Sequence, residues 1–475
     1  MRNPKKSAIL ALLLLVLGAL FLYGEDESRY SLGAILNEEA YAALPRKAPL
    51  ATRAYEGMPA AYSLKLYSPL PGDQADYGTC VAWAAAYAAR TTLESVALDR
   101  RNQVETTRNA FSPVYIYRSI QPDDPECQRG AQISWALNLM KDTGAVKMLD
   151  MERTLDFPSV DISQYRKSKK YPIADYVTLF NREEKNKPGL ITRAVKKSLV
   201  EGKPVIIGMN TPNSFLEAET IWQPSENPES FYGGHALCVI GYDDEKNGGA
   251  FEVINSWGRK WGNGGFMWIP YRTFVDFVME GYEMIENLAT YSDTVKFAGF
   301  ARIEILDGPD SRPAALEYTE EGFYKTTELL RGGTEFRFIA GSSESAYMYA
   351  FAATQEPPAA GGGFYSPVQL FPQAGISPLL NYRDSTVSLP GENRSLVLDD
   401  SPGMEYLVIL YAKQALDMRG VMRRFEAARG NVQERLAAAV GSYLLPVGRA
   451  GGASFALETA DSRSVASLVL AIDHR

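Results

Sequence analysis

A cysteine at the mouth of an alanine-rich helix and a histidine at the mouth of an apolar strand, 155 positions apart, constrain this chain more than anything else in it. Cys80 opens the run Val81 to Leu98, which holds seven alanines with Trp83 and Tyr87 and no Gly or Pro, so it predicts a buried helix. His235 stands in Gly233-Gly234-His235-Ala236-Leu237, just ahead of an apolar stretch. Only two histidines and three cysteines occur in 475 residues, and the other histidine, His474, is next to last. A fold that uses His235 with Cys80 must bring a helix start and a strand start together.

Gln74, six positions before Cys80, and Asn255, in Asn255-Ser256-Trp257-Gly258, complete a set of side chains suited to thiol chemistry. A thiol attacks as its thiolate, so its site must draw the pKa down from about 8.5. The helix start offers unpaired N–H groups and partial positive charge to Cys80. His235 can hold the proton, and Asn255 can orient the ring by bonding one of its nitrogens. The Cys80 backbone N–H and the Gln74 amide are the expected donors to an oxyanion.

These stretches resemble the papain family of cysteine peptidases over roughly residues 56–288. Met58-Pro59-Ala60-Ala61-Tyr62 resembles the mature start of the family, and Cys127-Gln128-Arg129-Gly130 the segment whose glycines bond the substrate backbone. His235-Ala236-Leu237-Cys238 resembles the strand around the catalytic histidine of the family, and Asn255-Ser256-Trp257-Gly258 with Trp261-Gly262 is the most specific match. The resemblance implies Cys80, His235, Asn255 and Gln74 as catalytic residues. It implies Gly130, Gly234 and Trp257 in the substrate-binding site, with Trp257 also covering the Asn–His bond, and protein or peptide as substrate. Tyr77 stands where the family has a half-cystine, so the family disulfide to about position 127 cannot form, and Cys127 is free or paired otherwise. The fold class implied is α+β: a helical lobe with Cys80 facing a β-barrel-like lobe with His235 and Asn255. Two rival readings use the same residues, namely an inactive binding module on this fold and another thiol acyl transferase.

Expectations for the rest of the chain are less specific. Arg2, Lys5 and Lys6 before the apolar run Ala8 to Tyr23 predict a signal peptide over 1–24, with an uncleaved membrane anchor as the alternative. Either way the remainder is exported: periplasmic, extracellular or membrane-anchored. Residues 25–55 are a polar spacer or short pro-region, too short for the large inhibitory propeptide of the family. Residues 289–321 are expected as a linker. Alternating aromatics in 322–475 predict a β-sandwich-like domain, with Gln414 to Ala439 helical around Gly430, and Pro357 to Gly363 a loop. Leu370-Phe371-Pro372 and Thr386 to Pro390 resemble an accessory domain of unknown function found beside bacterial exported peptidases. Forty-nine basic against 57 acidic residues give a net charge of −8, which argues against nucleic acid as a partner. The His and Cys spacings match no metal-ligand pattern, and the chemistry needs no cofactor.

Overall fold

The computed structural model describes residues 30–474 except 152–159, 288–290, 292–293, 309, 356–366, 446 and 448–451. The expected signal segment and the Pro357 to Gly363 loop lie outside the described residues. Among the described residues no helix is long and apolar enough to cross a membrane.

The first unit is one antiparallel sheet with helices packed on it. Its strands are β1 (Ala61–Ser63), β2 (Asp175–Thr178), β3 (Val205–Asn210), β4 (Gly234–Asp243), β5 (Ala250–Ile254), β6 (Phe266–Pro270) and β7 (Val278–Ile285). The sheet runs in the order β2-β7-β3-β4-β5-β6, with β1 on β4, and every pairing is antiparallel. β4 is buried on both faces, which is why its sequence is a continuous apolar run and does not alternate. A helix over 80–97 and the helix Pro188–Val200 both pack on it. The middle turns of the first, Trp83–Arg90, are widened to a π-helix among small alanines. Arg90 is buried there and paired with Glu286 at 2.8 Å. Ile133–Asp142 forms a further helix of this unit.

The second unit is a sandwich of two sheets. One orders the strands 385–389, 335–342, 295–307 and 454–459, and the other 316–318, 324–326, 465–474, 403–412, 346–355 and 368–371. Apolar residues of both sheets, among them Ile303, Phe338, Leu407 and Leu468, fill the space between them. Helices Met418–Ala427 and Val432–Val440 cover the outer face of the second sheet through Phe425 and Leu436. They flank Gly430, where the sequence places the break. The expected linker 289–321 is largely strand: Val295–Asp307 pairs with Glu335–Ser342 in the core of the first sheet. Its burial alternates, with Phe297, Gly299, Ala301, Ile303 and Ile305 inward, and the glycine and alanine in the middle of that set blur the period in sequence.

The two units share a core, since Val177 and Ile285 of the first pack with Tyr347 and Leu379 of the second. Residues 30–55, expected as a spacer, form a strap that binds both. It includes a short helix, Glu38–Ala42, capped by the Asn37 side chain.

Candidate active site

Helix start and strand start meet as the spacing requires. Cys80, His235, Asn255 and Gln74 are all buried, and the helix turn Cys80–Ala82 packs on β4, which carries His235. His235 Nε2 lies 2.8 Å from Asn255 Oδ1, and that same oxygen accepts the Ser256 N–H at 2.7 Å. The amide oxygen is therefore the acceptor, so the proton sits on Nε2 and Nδ1 carries the lone pair. Nδ1 has no hydrogen-bond partner among the described residues. The indole of Trp257 stacks on the imidazole with centroids 4.4 Å apart, and Phe215 and Trp261 pack edge-on against that indole. Water is thus kept from the His–Asn bond.

Gln74 is positioned by residues that the sequence reading passed over. Its backbone N–H donates to Ser256 O at 2.7 Å and its Oε1 accepts the Ser256 hydroxyl at 2.6 Å. Ala75, at φ 54°, turns the chain, with its N–H on the Asp73 carboxylate. One amide hydrogen goes to Tyr77 O at 2.7 Å, and the other points into the cleft. Ser256 is adjacent to Asn255 in sequence, but nothing in its type marks it as the partner of a residue 182 positions away.

The cleft is not empty: the strap runs through it. Ser31 O accepts the second Gln74 amide hydrogen at 3.0 Å and the Trp257 indole N–H at 3.2 Å. Tyr30 stacks on Trp257. Gly33 and Ala34 donate to Gly234 O at 3.2 and 3.0 Å. Ala131 N–H donates to Gly33 O at 2.8 Å while Ile35 N–H donates to Ala131 O at 2.9 Å, the pattern of a parallel pair. The fit depends on glycines on both sides. A Cβ on Gly33 would stand 2.2 Å from Gly78 O, one on Gly234 2.0 Å from Ala34 O, and one on Gly130 2.3 Å from Gly33 O. Leu36 fills a pocket against Gly208, Gly234 and Glu280, and Asn37 N–H donates to the Glu280 carboxylate at 3.0 Å.

Gly234 and Trp257 touch the bound backbone directly, but Gly130 does so differently from the expectation. Its own N–H is taken by Tyr117 Oη at 3.1 Å and its C=O by Gln121 Nε2 at 2.6 Å. The neighbouring Ala131 makes the hydrogen bonds to the strap, and Gly130 contributes a left-handed turn, φ 72°, and the absence of a side chain. Cys127 and Cys238 are buried free thiols.

Under the strap both reactive groups are held neutral. Burial pushes the Cys80 thiol up to about 11, against the opposing backbone hydrogen bonds of Ala236, Gly33 and Val81. Burial also pushes His235 down to about 4, outweighing its bond to Asn255.

A family profile described as "Papain family cysteine protease" matches residues 72–283, the stretch that holds Gln74, Cys80, His235 and Asn255. The chain carries a papain-family cysteine peptidase domain. An uncharacterized peptidase C1-like protein of Acanthamoeba polyphaga mimivirus is 27% identical over 262 residues, 51% of this chain and 75% of its own length. Among solved structures, xylellain, a cysteine protease from Xylella fastidiosa, is 20% identical, covering 55% of this chain and 97% of its own, with a TM-score of 0.43. A procathepsin B of Trypanosoma congolense is 14% identical, covering 54% of this chain and 86% of its own, with a TM-score of 0.42. A papain-family cysteine peptidase hydrolyses protein or peptide substrates, and the sandwich lies beyond the matched residues.

Proposed function

We propose that this chain is an exported cysteine endopeptidase that acts through an acyl-enzyme on Cys80 and is latent while the strap is seated. The observation that carries the reading is the His235–Asn255 bond beneath Trp257, which leaves Nδ1 as the base. Once the strap leaves, Nδ1 takes the Cys80 proton and the thiolate attacks the substrate carbonyl. The carbonyl oxygen becomes an oxyanion, which receives the Cys80 backbone N–H and the Gln74 amide hydrogen that Ser31 O now occupies. The imidazolium then protonates the departing amine, the C–N bond breaks and a thioester remains. His235 next deprotonates a water, which attacks the thioester, releasing the acid and restoring the thiol. Asn255 holds the ring throughout both transfers.

Export rests on Arg2, Lys5 and Lys6 followed by the apolar run Ala8 to Tyr23. Cell fractionation with N-terminal sequencing separates a cleaved signal from an anchor.

The direct test is digestion of an unfolded protein by chain whose strap has been displaced, with mass spectrometry of the products. Internal cleavage is expected, and Cys80→Ala or His235→Ala should lower kcat by about 10³-fold or more. Transfer to an added amine in place of hydrolysis would assign a different acyl transfer, and no product at all would sink the enzyme reading.

A further inference from the structure

The strap has two halves with different attachments. Residues 31–37 lie in the cleft. Residues 45–52 do not touch it, yet they are the more firmly built in. Arg46 pairs in parallel with Thr178 of the peptidase domain and with Ile376 of the sandwich, so it is a one-residue strand between the two units. Its N–H donates to Gly375 O at 2.9 Å, its C=O accepts the Ser377 N–H at 2.7 Å, and the next N–H, of Lys47, reaches Thr178 O at 2.8 Å.

Lys47 then turns inward. Its ammonium is 2.6 Å from Glu283, which is fully buried, and it also bonds Asn381 and lies 3.3 Å above the Tyr382 ring. Glu283 collects the Asn381 amide at 2.7 Å and the Ser198 and Tyr382 hydroxyls. One buried ion pair thus joins the strap, the peptidase domain and the sandwich. Beyond it Ala48 and Leu50 enter the apolar core of the sandwich, Ala51 N–H donates to Thr386 O at 2.8 Å, and Thr52 bonds the Glu392 carboxylate through N–H and hydroxyl at 2.7 and 2.6 Å. Between the halves Ala42, Ala43 and Pro45 are exposed.

We propose that the C-terminal sandwich is the lock of the enzyme: it fixes residues 45–52 so that residues 31–37 are held in the cleft at high effective concentration. The inference rests on the thiol peptidase reading. A segment tethered a few residues from its site competes with substrate far better than the same segment on a long, loose tether. Withdrawing Lys47, or cutting the exposed link 42–45, removes that advantage without touching the catalytic side chains.

The test is the rate at which iodoacetamide alkylates Cys80 in the uncut full chain, located by mass spectrometry because Cys127 and Cys238 are also free thiols. Gly33→Val, which cannot seat the strap, sets the open reference and is expected to react at least a hundredfold faster than the parent. Lys47→Met is expected to gain at least tenfold. The surface pair Thr52→Ala with Glu392→Gln, which leaves the buried ion pair alone, is expected to gain about threefold. If both lock variants react at the parent rate while Gly33→Val reacts fast, the cleft contacts alone hold the strap and the lock is wrong. The lock also falls if Gly33→Val stays slow, for the strap would not be what shields Cys80. Fast alkylation of Gly33→Val and of the lock variants without any peptide cleavage upholds the lock and removes the peptidase reading.

Discussion

Cys80 and His235 titrate in opposite directions under the strap, and each shift favours a neutral group. The closed form loses ground as pH falls from about 6.5 toward 4, because an opened His235 binds a proton that the closed one refuses. It loses ground again on the alkaline side, up to about 11, because an opened Cys80 releases a proton that the closed one keeps. Closure is therefore strongest between those limits, and acid is expected to speed opening. At neutral pH the closed Cys80 is held as the thiol. Alkylation of the parent protein should rise about tenfold per pH unit from 7 to 10, while an opened variant should reach its plateau at least two units lower. A pH–rate profile of site-resolved alkylation checks both limbs; identical profiles would show that burial does not set the reactivity. That Cys80 and His235 meet was legible because so few cysteines and histidines exist to choose from, and Asn255 and Gln74 because the motifs around them mark them out. Ser256, which holds Gln74, and Ala131, which bonds the bound backbone, were not. Ser256 acts through a hydroxyl and Ala131 through its main chain, and neither carries a mark of type or period.

Elements with a hydrophobic period were readable nearly to the residue. The run Val81 to Leu98 stands as the helix over 80–97, and the stretch Gln414 to Ala439 as the helices Met418–Ala427 and Val432–Val440 on either side of Gly430. The strap was not readable as an element, because most of it is neither helix nor paired strand and its hydrogen bonds are borrowed from Gly234, Ala131, Thr178 and Gly375. Its one decisive sequence feature is Gly33. A Cβ there meets the Gly78 carbonyl at 2.2 Å, a clash with backbone that cannot swing aside. Gly33→Val should therefore unseat residues 31–37 and leave the cleft walls unchanged. Hydrogen exchange of the Gly33, Ala34 and Ile35 amides should accelerate by at least a hundredfold, with the amides of β4 unaffected. Unchanged protection at those three would mean that the strap seats in another way.

At the scale of the molecule, the expected division into spacer, peptidase, linker and sandwich underestimates how far the units are joined. The shared core around Val177, Ile285 and Tyr347, together with the Lys47–Glu283 pair, ties them into one body. Thermal unfolding should then be a single transition. Removing Lys47 leaves Glu283 buried with its charge unmatched by that partner, a loss of about 3–5 kcal/mol in comparable pairs. Calorimetry of Lys47→Met should show a lower Tm and a separation into two transitions; one transition at the parent Tm would mean that the seam adds nothing to stability. None of this joining is visible in sequence, since Lys47 and Glu283 are 236 positions apart and both are ordinary surface types.

Arg46 is bracketed by Thr178 on one side and Ile376 on the other, and these partners are made at different times. On a chain that emerges from the ribosome N-terminus first, the strap is made before anything it binds, and the peptidase residues are complete by about position 285. The segment 375–392 that clasps the strap follows roughly 90 to 110 residues later, about 5–20 s at ordinary rates of synthesis. A nascent molecule thus owns the blade and its sheath before it owns the catch that keeps the two together.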